Sequence, residues 1–387
     1  MTQGRVETSR LSELEGLRGL LAWWVVVGHL LFIFSERLGL LSRNRSAVDV
    51  FIILSGFVVY RLIDTRQEPY PVFITRRFFR LYPAYILVLL ASAATLGLQR
   101  AALMDSPFFN PRTEERLAIF DATSANLWPH LAAHLTMLHG LVPMSALSEA
   151  ATSIVGQAWS ISVEWQYYLL APLVFLGLKH GWKGRAAVAL ATIGLAALGQ
   201  FGPLADNYAF IGRSVVWFAV GIGSYYAYKH RDRLPKAVAW SAVAALAASS
   251  VATRSPAGLL WAVMLVMILS LAPRATNGLA ALLRSRPLTW LGGASYSTYM
   301  VHVLALYLTM SMLNRMHLDR LTYAAALTVI CLGATAVLSA VMSRWVETPG
   351  MAFGTTLARR LAGGVRRPAP DGAVPEPSTQ TRRARAF

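Results

Sequence analysis

The chain carries little charge. Of its 387 residues, 14% are Asp, Glu, Lys or Arg and 55% are hydrophobic, where a water-soluble domain carries about 25% charged residues. That shortage excludes an ordinary soluble enzyme and points to an integral membrane protein. Cysteine is nearly absent: the single Cys331 excludes an internal disulfide and a cysteine-based metal cluster. No cleavable leader is visible, because the first apolar run is too long and has no small-residue cleavage site. No internal repeat is visible either. Acid is the scarcer sign of charge, with 36 Lys and Arg against 19 Asp and Glu and a net charge of +17. In a polytopic chain that excess reads as loops facing anionic lipid, not as a nucleic-acid surface.

What is present is a series of apolar runs near the length of about 20 residues that crosses a bilayer as a helix. About ten are read, at roughly 14–34, 46–63, 81–98, 159–178, 186–202, 207–228, 236–252, 257–273, 288–313 and 322–345. The expected fold class is therefore all-α, a polytopic membrane bundle of about ten helices occupying 1–350. A basic tail rich in Pro and Gly, 351–387, has the composition of a disordered segment. The longest polar stretch, 99–158, holds one short amphipathic piece, Trp128–Leu141. Setting the N terminus in the cytoplasm gathers most Lys and Arg inside, so the expectation is N-in and C-in, multi-pass, in the cell membrane.

The first apolar run, Leu14–Phe34, contains Arg18 and His29. Eleven residues return to within roughly 20° of the same helix face, with a rise of roughly 16 Å. Titratable groups inside a span are costly and usually functional. In the expected orientation His29, Asp49, Glu164 and Arg213 share the outer half of the bilayer, with His302 nearer the midplane. They suggest one buried polar cavity. Arg18, Arg76, Arg77 and Arg80 gather at the inner mouth, where fixed guanidinium groups suit phosphate oxygens. Plainer readings stand beside these. Arg76, Arg77 and Arg80 also suit positive-inside anchors, Glu164 with Arg213 an ion pair, and His302 a bond to a backbone carbonyl. Glu347 suits a helix-end ion pair. His130, His134 and His139 fall at a metal-like spacing, but no acidic partner accompanies them. An amphipathic interfacial face accounts for them, and no metal is expected. A transporter also buries titratable groups near the midplane and is the rival from another class. The absence of an inverted repeat counts against it.

Six blocks run in order along the chain: Glu15-Gly-Leu-Arg18-Gly with His29; Val48-Asp-Val-Phe-Ile-Ile-Leu-Ser-Gly-Phe57; Arg77-Phe-Phe-Arg80-Leu-Tyr-Pro83; Trp159-Ser-Ile-Ser-Val-Glu164-Trp-Gln-Tyr-Tyr168; Gly293-Ala-Ser-Tyr-Ser-Thr-Tyr-Met-Val-His302; and Val346-Glu347-Thr-Pro349. Together they resemble the acyltransferase 3 family of membrane acyltransferases, with Glu15 and Trp165 as mild departures. No hydrolase-like second domain is expected after the last span. The resemblance implies an O-acyltransferase that moves an acyl group, often acetyl, from acyl-CoA to a hydroxyl of a carbohydrate or glycosylated acceptor.

Acyl transfer needs a base and a place to hold both reactants. His29 is the candidate base, with Asp49 or Glu164 as the carboxylate that orients it. Arg18, Arg76, Arg77 and Arg80 are the candidates for CoA phosphates. Trp159, Ser162, Arg213, Tyr296 and His302 are the candidates for the acceptor. Whether His29 activates the hydroxyl directly or carries the acyl group stays open. Direct contact between Arg18 and His29 is not expected.

Overall fold

The computed structural model describes residues 11–35 and 44–364, and every regular element among them is helical. The helices run α1 (Ser12–Phe34), α2 (Asn44–Arg66), α3 (Tyr70–Ala94), α4 (Leu96–Met104), α5 (Pro111–Ala125), α6 (Leu127–Leu135), α7 (Trp159–Lys179) and α8 (Gly181–Phe201). They continue as α9 (Val215–Lys229), α10 (Lys236–Ala252), α11 (Ala257–Ile268), α12 (Pro273–Leu283), α13 (Arg286–Gly293), α14 (Ser295–Asn314), α15 (Arg320–Met342) and α16 (Thr348–Gly364).

Six helical stretches are long and apolar enough to cross a membrane, or seven if the bent pair α11–α12, which turns by 104°, is one span. The expectation was about ten, and the difference has local causes. The run at 207–228 opens with a 3₁₀ turn, Ile211–Arg213, and leaves α9 only 15 residues. The run at 236–252 gives a 17-residue helix. The run at 288–313 breaks at Ala294 between α13 and α14. α14 has the length, but it carries Ser295, Ser297, Thr298 and His302, all buried.

That burial defines the architecture. α14 lies at the centre, packed against α1, α3 and α15, while α2 is clamped between α9 and α7. At the periphery, α8 buries almost nothing and exposes Leu190, Ile193 and Phe201. Such a continuous apolar exterior is the surface a bilayer covers. The chain is thus a multi-pass membrane protein with a polar centre.

Two expected irregular regions are ordered. Within 99–158, α5 begins with a reciprocal cap. Asn110 accepts from the backbone of Arg112 and Thr113, and the Thr113 hydroxyl accepts from the Asn110 N–H, with Pro111 just inside. These contacts satisfy end donors that a short polar helix otherwise leaves to water. Nor is 351–364 a disordered tail: it forms most of α16, which packs along α3, with Gly350 against Pro83 and Gly354 against Phe79. The remainder, 365–387, lies outside the described residues. α15 passes into α16 through a π-type turn, Ser343–Glu347.

α2 and α9 cross at close range. A Cβ placed on Gly56 would collide with the carbonyl of Phe218, and one on Gly221 with the carbonyl of Ile53. Both positions therefore need a residue without a side chain. Gly221→Val is expected to push α9 off α2 and cost about 1–3 kcal/mol, read as a lower thermal midpoint of the purified protein in detergent. An unchanged midpoint would contradict this close packing.

Candidate active site

Two regions of empty space meet at Tyr299, in the second turn of α14. The first is a cavity of about 100 Å³. α1 supplies Arg18 to it, α3 supplies Arg77 and Arg80, α7 supplies Glu164 and Tyr168, and α14 supplies Tyr296 and Tyr299. Arg80 forms an ion pair with Glu347 from the π-type turn, whose second oxygen accepts from Ser297 Oγ at 2.5 Å. The Arg80 guanidinium also lies 5.5 Å from the Tyr296 ring, and that of Arg77 lies 5.6 Å from the Tyr168 ring. Glu164 accepts from the Tyr168 hydroxyl and from Ser55 Oγ at 3.1 Å. The Nε donors of Arg18 and Arg77 are buried without an acceptor. Buried donors in folded proteins are nearly always paired, so this cavity is short of oxygen acceptors.

The second region is a pair of adjoining chambers of about 260 and 710 Å³ that share His29, Phe32, Arg112, Gln157, Trp159 and Tyr208. His29 Nδ1 lies 3.0 Å from the carbonyl of Val25, 3.2 Å from Nε2 of His302 and 3.2 Å from the Asn44 amide. His302 Nδ1 donates to the carbonyl of Tyr299 at 2.7 Å, which leaves its Nε2 an acceptor. Both the Val25 carbonyl and the His302 Nε2 therefore require a proton on His29 Nδ1. The Asn44 side-chain amide lies against the same nitrogen. Each bond falls on Nδ1. The lone pair of His29 is on Nε2, which makes no hydrogen bond among the described residues.

Tyr299 and Val48 line both the cavity and the larger chamber. The Tyr299 hydroxyl donates to the carbonyl of Gln157 at 2.8 Å and lies 2.8 Å from Ser160 Oγ. This side chain, pinned between α14 and α7, partitions the two spaces. Arg18 and His29 fall on opposite sides of it and do not touch.

The residues expected from the sequence divide accordingly. Arg18, Arg77, Arg80, Glu164 and Tyr296 meet in the cavity; His29, Asp49 and Trp159 line the chambers, with His302 bonded to His29. Five stand elsewhere or act differently. Arg76 is held by Glu68 at 2.8 Å, away from the cavity. Ser162 is buried and accepts from the Gly140 backbone at 3.0 Å and from Gln166 at 3.1 Å, so it knits α7 to the preceding turn. Arg213 is exposed, donates to the carbonyl of Ala205, and does not pair with Glu164. Asp49 is buried on a chamber wall, but neither it nor Glu164 bonds His29: an amide and a second imidazole take that place. His130, His134 and His139 are buried, not interfacial. His134 stacks on His139 at 3.9 Å and bonds Tyr85 and Ser153, and burial pushes the His139 imidazole down to about 3.

Asn44, Gln157, Tyr208 and Arg116 were not anticipated. The i, i+4 spacing of Arg112 and Arg116 was the available signal, hidden because 99–158 reads as a loop. Tyr299 stands three residues before His302 in the stretch Gly293–His302.

Glu347→Ala would leave Arg80 buried without its counter-ion and is expected to cost about 3–5 kcal/mol, measured as thermal stability in detergent. The double change Arg80→Met, Glu347→Leu should recover most of that loss.

The acyltransferase 3 family model, an acyltransferase domain, matches residues 11–343. An uncharacterized protein of Haemophilus influenzae is similar, 32% identical over 133 residues, which make up 33% of this chain and 48% of the relative. The chain thus spans about half the length of that relative. No solved structure matches it. With a match over most of its length, the chain belongs to the acyltransferase 3 family of membrane acyltransferases.

Proposed function

We propose that this membrane acyltransferase takes an acyl group, acetyl in the simplest case, from cytoplasmic acyl-CoA and delivers it to a hydroxyl of a carbohydrate or glycosylated acceptor. The observation that carries the reading is the His29 ring. Its Nδ1 is engaged by Val25, Asn44 and His302, and its Nε2 lone pair is left for the chambers. In this reading the chain crosses the cell membrane about ten times, with both termini inside, and the arginine cavity faces the cytoplasm. Arg18 and Arg77, with donors lacking acceptors, receive donor phosphate oxygens beside Arg80. Trp159 and Tyr208, whose ring centroids lie 5.6 Å apart, offer an aromatic wall to a sugar.

The reaction balances on one proton. His29 Nε2 removes it from the acceptor hydroxyl, and the oxygen attacks the thioester carbonyl. The tetrahedral adduct collapses, the C–S bond breaks, and the imidazolium returns the proton to sulfur, giving an ester and free CoA. His302 and Asn44 keep the ring in the productive tautomer, a positioning task that a carboxylate performs in other acyl-transfer sites. Asp49 adds negative charge on the chamber wall, and Glu164 holds Tyr168 against Arg77.

Acceptor-dependent release of CoA thiol by the purified protein tests this. His29→Ala should lower it by about 10²–10⁴ with the thermal midpoint retained, and unchanged release would remove His29 from the chemistry. His302→Gln should lower kcat and leave the KM for acyl-CoA alone, whereas Arg77→Gln should raise that KM. If the protein in sealed vesicles instead moves solute with no thiol released, it is a transporter and the proposal fails.

A further inference from the structure

The walls around His29 carry more positive charge than the transfer of a neutral hydroxyl requires. Among the described residues, Arg45, Arg112, Arg116 and Arg254 line the two chambers with two carboxylates, Asp49 and Glu115. Arg116 is the most telling. It is half-buried on α5, one helical turn beyond Arg112. Its Nε donates to the Tyr307 hydroxyl at 3.1 Å, and Nη1 lies 3.5 Å from the carbonyl of Thr152. Both acceptors are neutral, and among the described residues no carboxylate lies within 4.0 Å of it. A partly desolvated cation without a counter-ion is unfavourable unless something else supplies one. The chain also reserves the place for it: the guanidinium occupies the volume that a side chain at Gly156 would fill.

Arg45, more exposed, lines the larger chamber together with Asp49. Its guanidinium lies 4.9 Å from the Trp159 ring and 5.8 Å from the Tyr208 ring, and no carboxylate of the described residues pairs with it. Arg112 lies 4.1 Å from the Phe32 ring. Cations resting on aromatic faces, beside an imidazole with a free lone pair, make a surface that accepts a sugar ring and a negative charge together.

We infer that the acceptor is an anionic saccharide, bearing a carboxylate or a phosphate, whose charge is held by Arg116 and Arg45 while its hydroxyl meets His29. This rests on the acyltransferase reading and narrows its substrate class. The guanidinium groups fix the anion at one end of the chamber, and the hydroxyl that is acylated is the one this anchoring brings to Nε2.

The test uses membranes containing the full-length protein, acetyl-CoA labelled in its acetyl group, and total envelope saccharides from cells lacking the protein. Labelled product is fractionated by anion exchange. The expected result is label in the retained, anionic fraction, falling about tenfold or more in Arg116→Gln, the effect of about 1.4 kcal/mol, with partial recovery in Arg116→Lys. Arg45→Gln should act in the same direction, which guards against a folding defect in one variant. Carboxyl reduction or phosphodiester hydrolysis of the retained material then separates the two anions. Label in the unretained, neutral fraction overturns the inference and leaves acyl transfer standing. Label in neither fraction overturns the acyl-transfer reading itself, and this one with it.

Discussion

The interior of this protein depends on how a lipid-embedded bundle accommodates guanidinium groups. Charge within the hydrocarbon layer is tolerated when it faces protein and finds partners there. Arg80 does so through Glu347, and that carboxylate in turn binds Ser297. One ion pair thereby ties α3 to α14 and to the junction of α15 with α16. It holds the floor of the arginine cavity and neutralises one of three clustered cations. Arg18 and Arg77 keep their charge with no carboxylate of their own among the described residues. The fold thus pairs the cation that supports the cavity and leaves unpaired those that face into it.

The same division runs through the histidines. His302 is spent on orientation: its Nδ1 is tied to the Tyr299 carbonyl and its Nε2 to the neighbouring ring. His29 keeps one nitrogen free. Because Tyr299 lies between the cavity and the chambers, the residue whose carbonyl sets the His302 tautomer also supplies the ring that separates the two spaces. Tautomer and partition are mechanically one feature of α14.

Long apolar runs made α1, α2, α3 and α7 legible in the sequence, and with them the residues that line the cavity. Their period and length are fixed by the bilayer, so local composition was enough. The interior of the bundle was not legible in the same way. α14 is polar along its buried face because it packs on protein, and a hydropathy reading tuned to lipid does not recognise such a helix as central. Depth along a span also cannot tell which way a side chain points. Asp49 and Glu164 have related depths to His29, yet neither bonds it, and Arg213 faces outward. Ser162 shares the block that supplies Trp159 and Glu164, but points to Gly140. Charge alone did not separate Arg76 from Arg77, because what distinguishes them is Glu68, eight residues before Arg76 in a turn.

The π-type turn between α15 and α16 carries a consequence of its own. Along α15 the buried positions step by three or four residues: Tyr323, Leu327, Cys331, Thr335, Ser339 and Met342. The next is Glu347, five residues on. One residue inserted or removed between Met342 and Glu347 turns everything beyond it by about 100°. That would swing the carboxylate toward lipid and lift Gly350 and Gly354 off α3 in the same motion. The widened turn therefore sets the angular phase of the whole C-terminal helix.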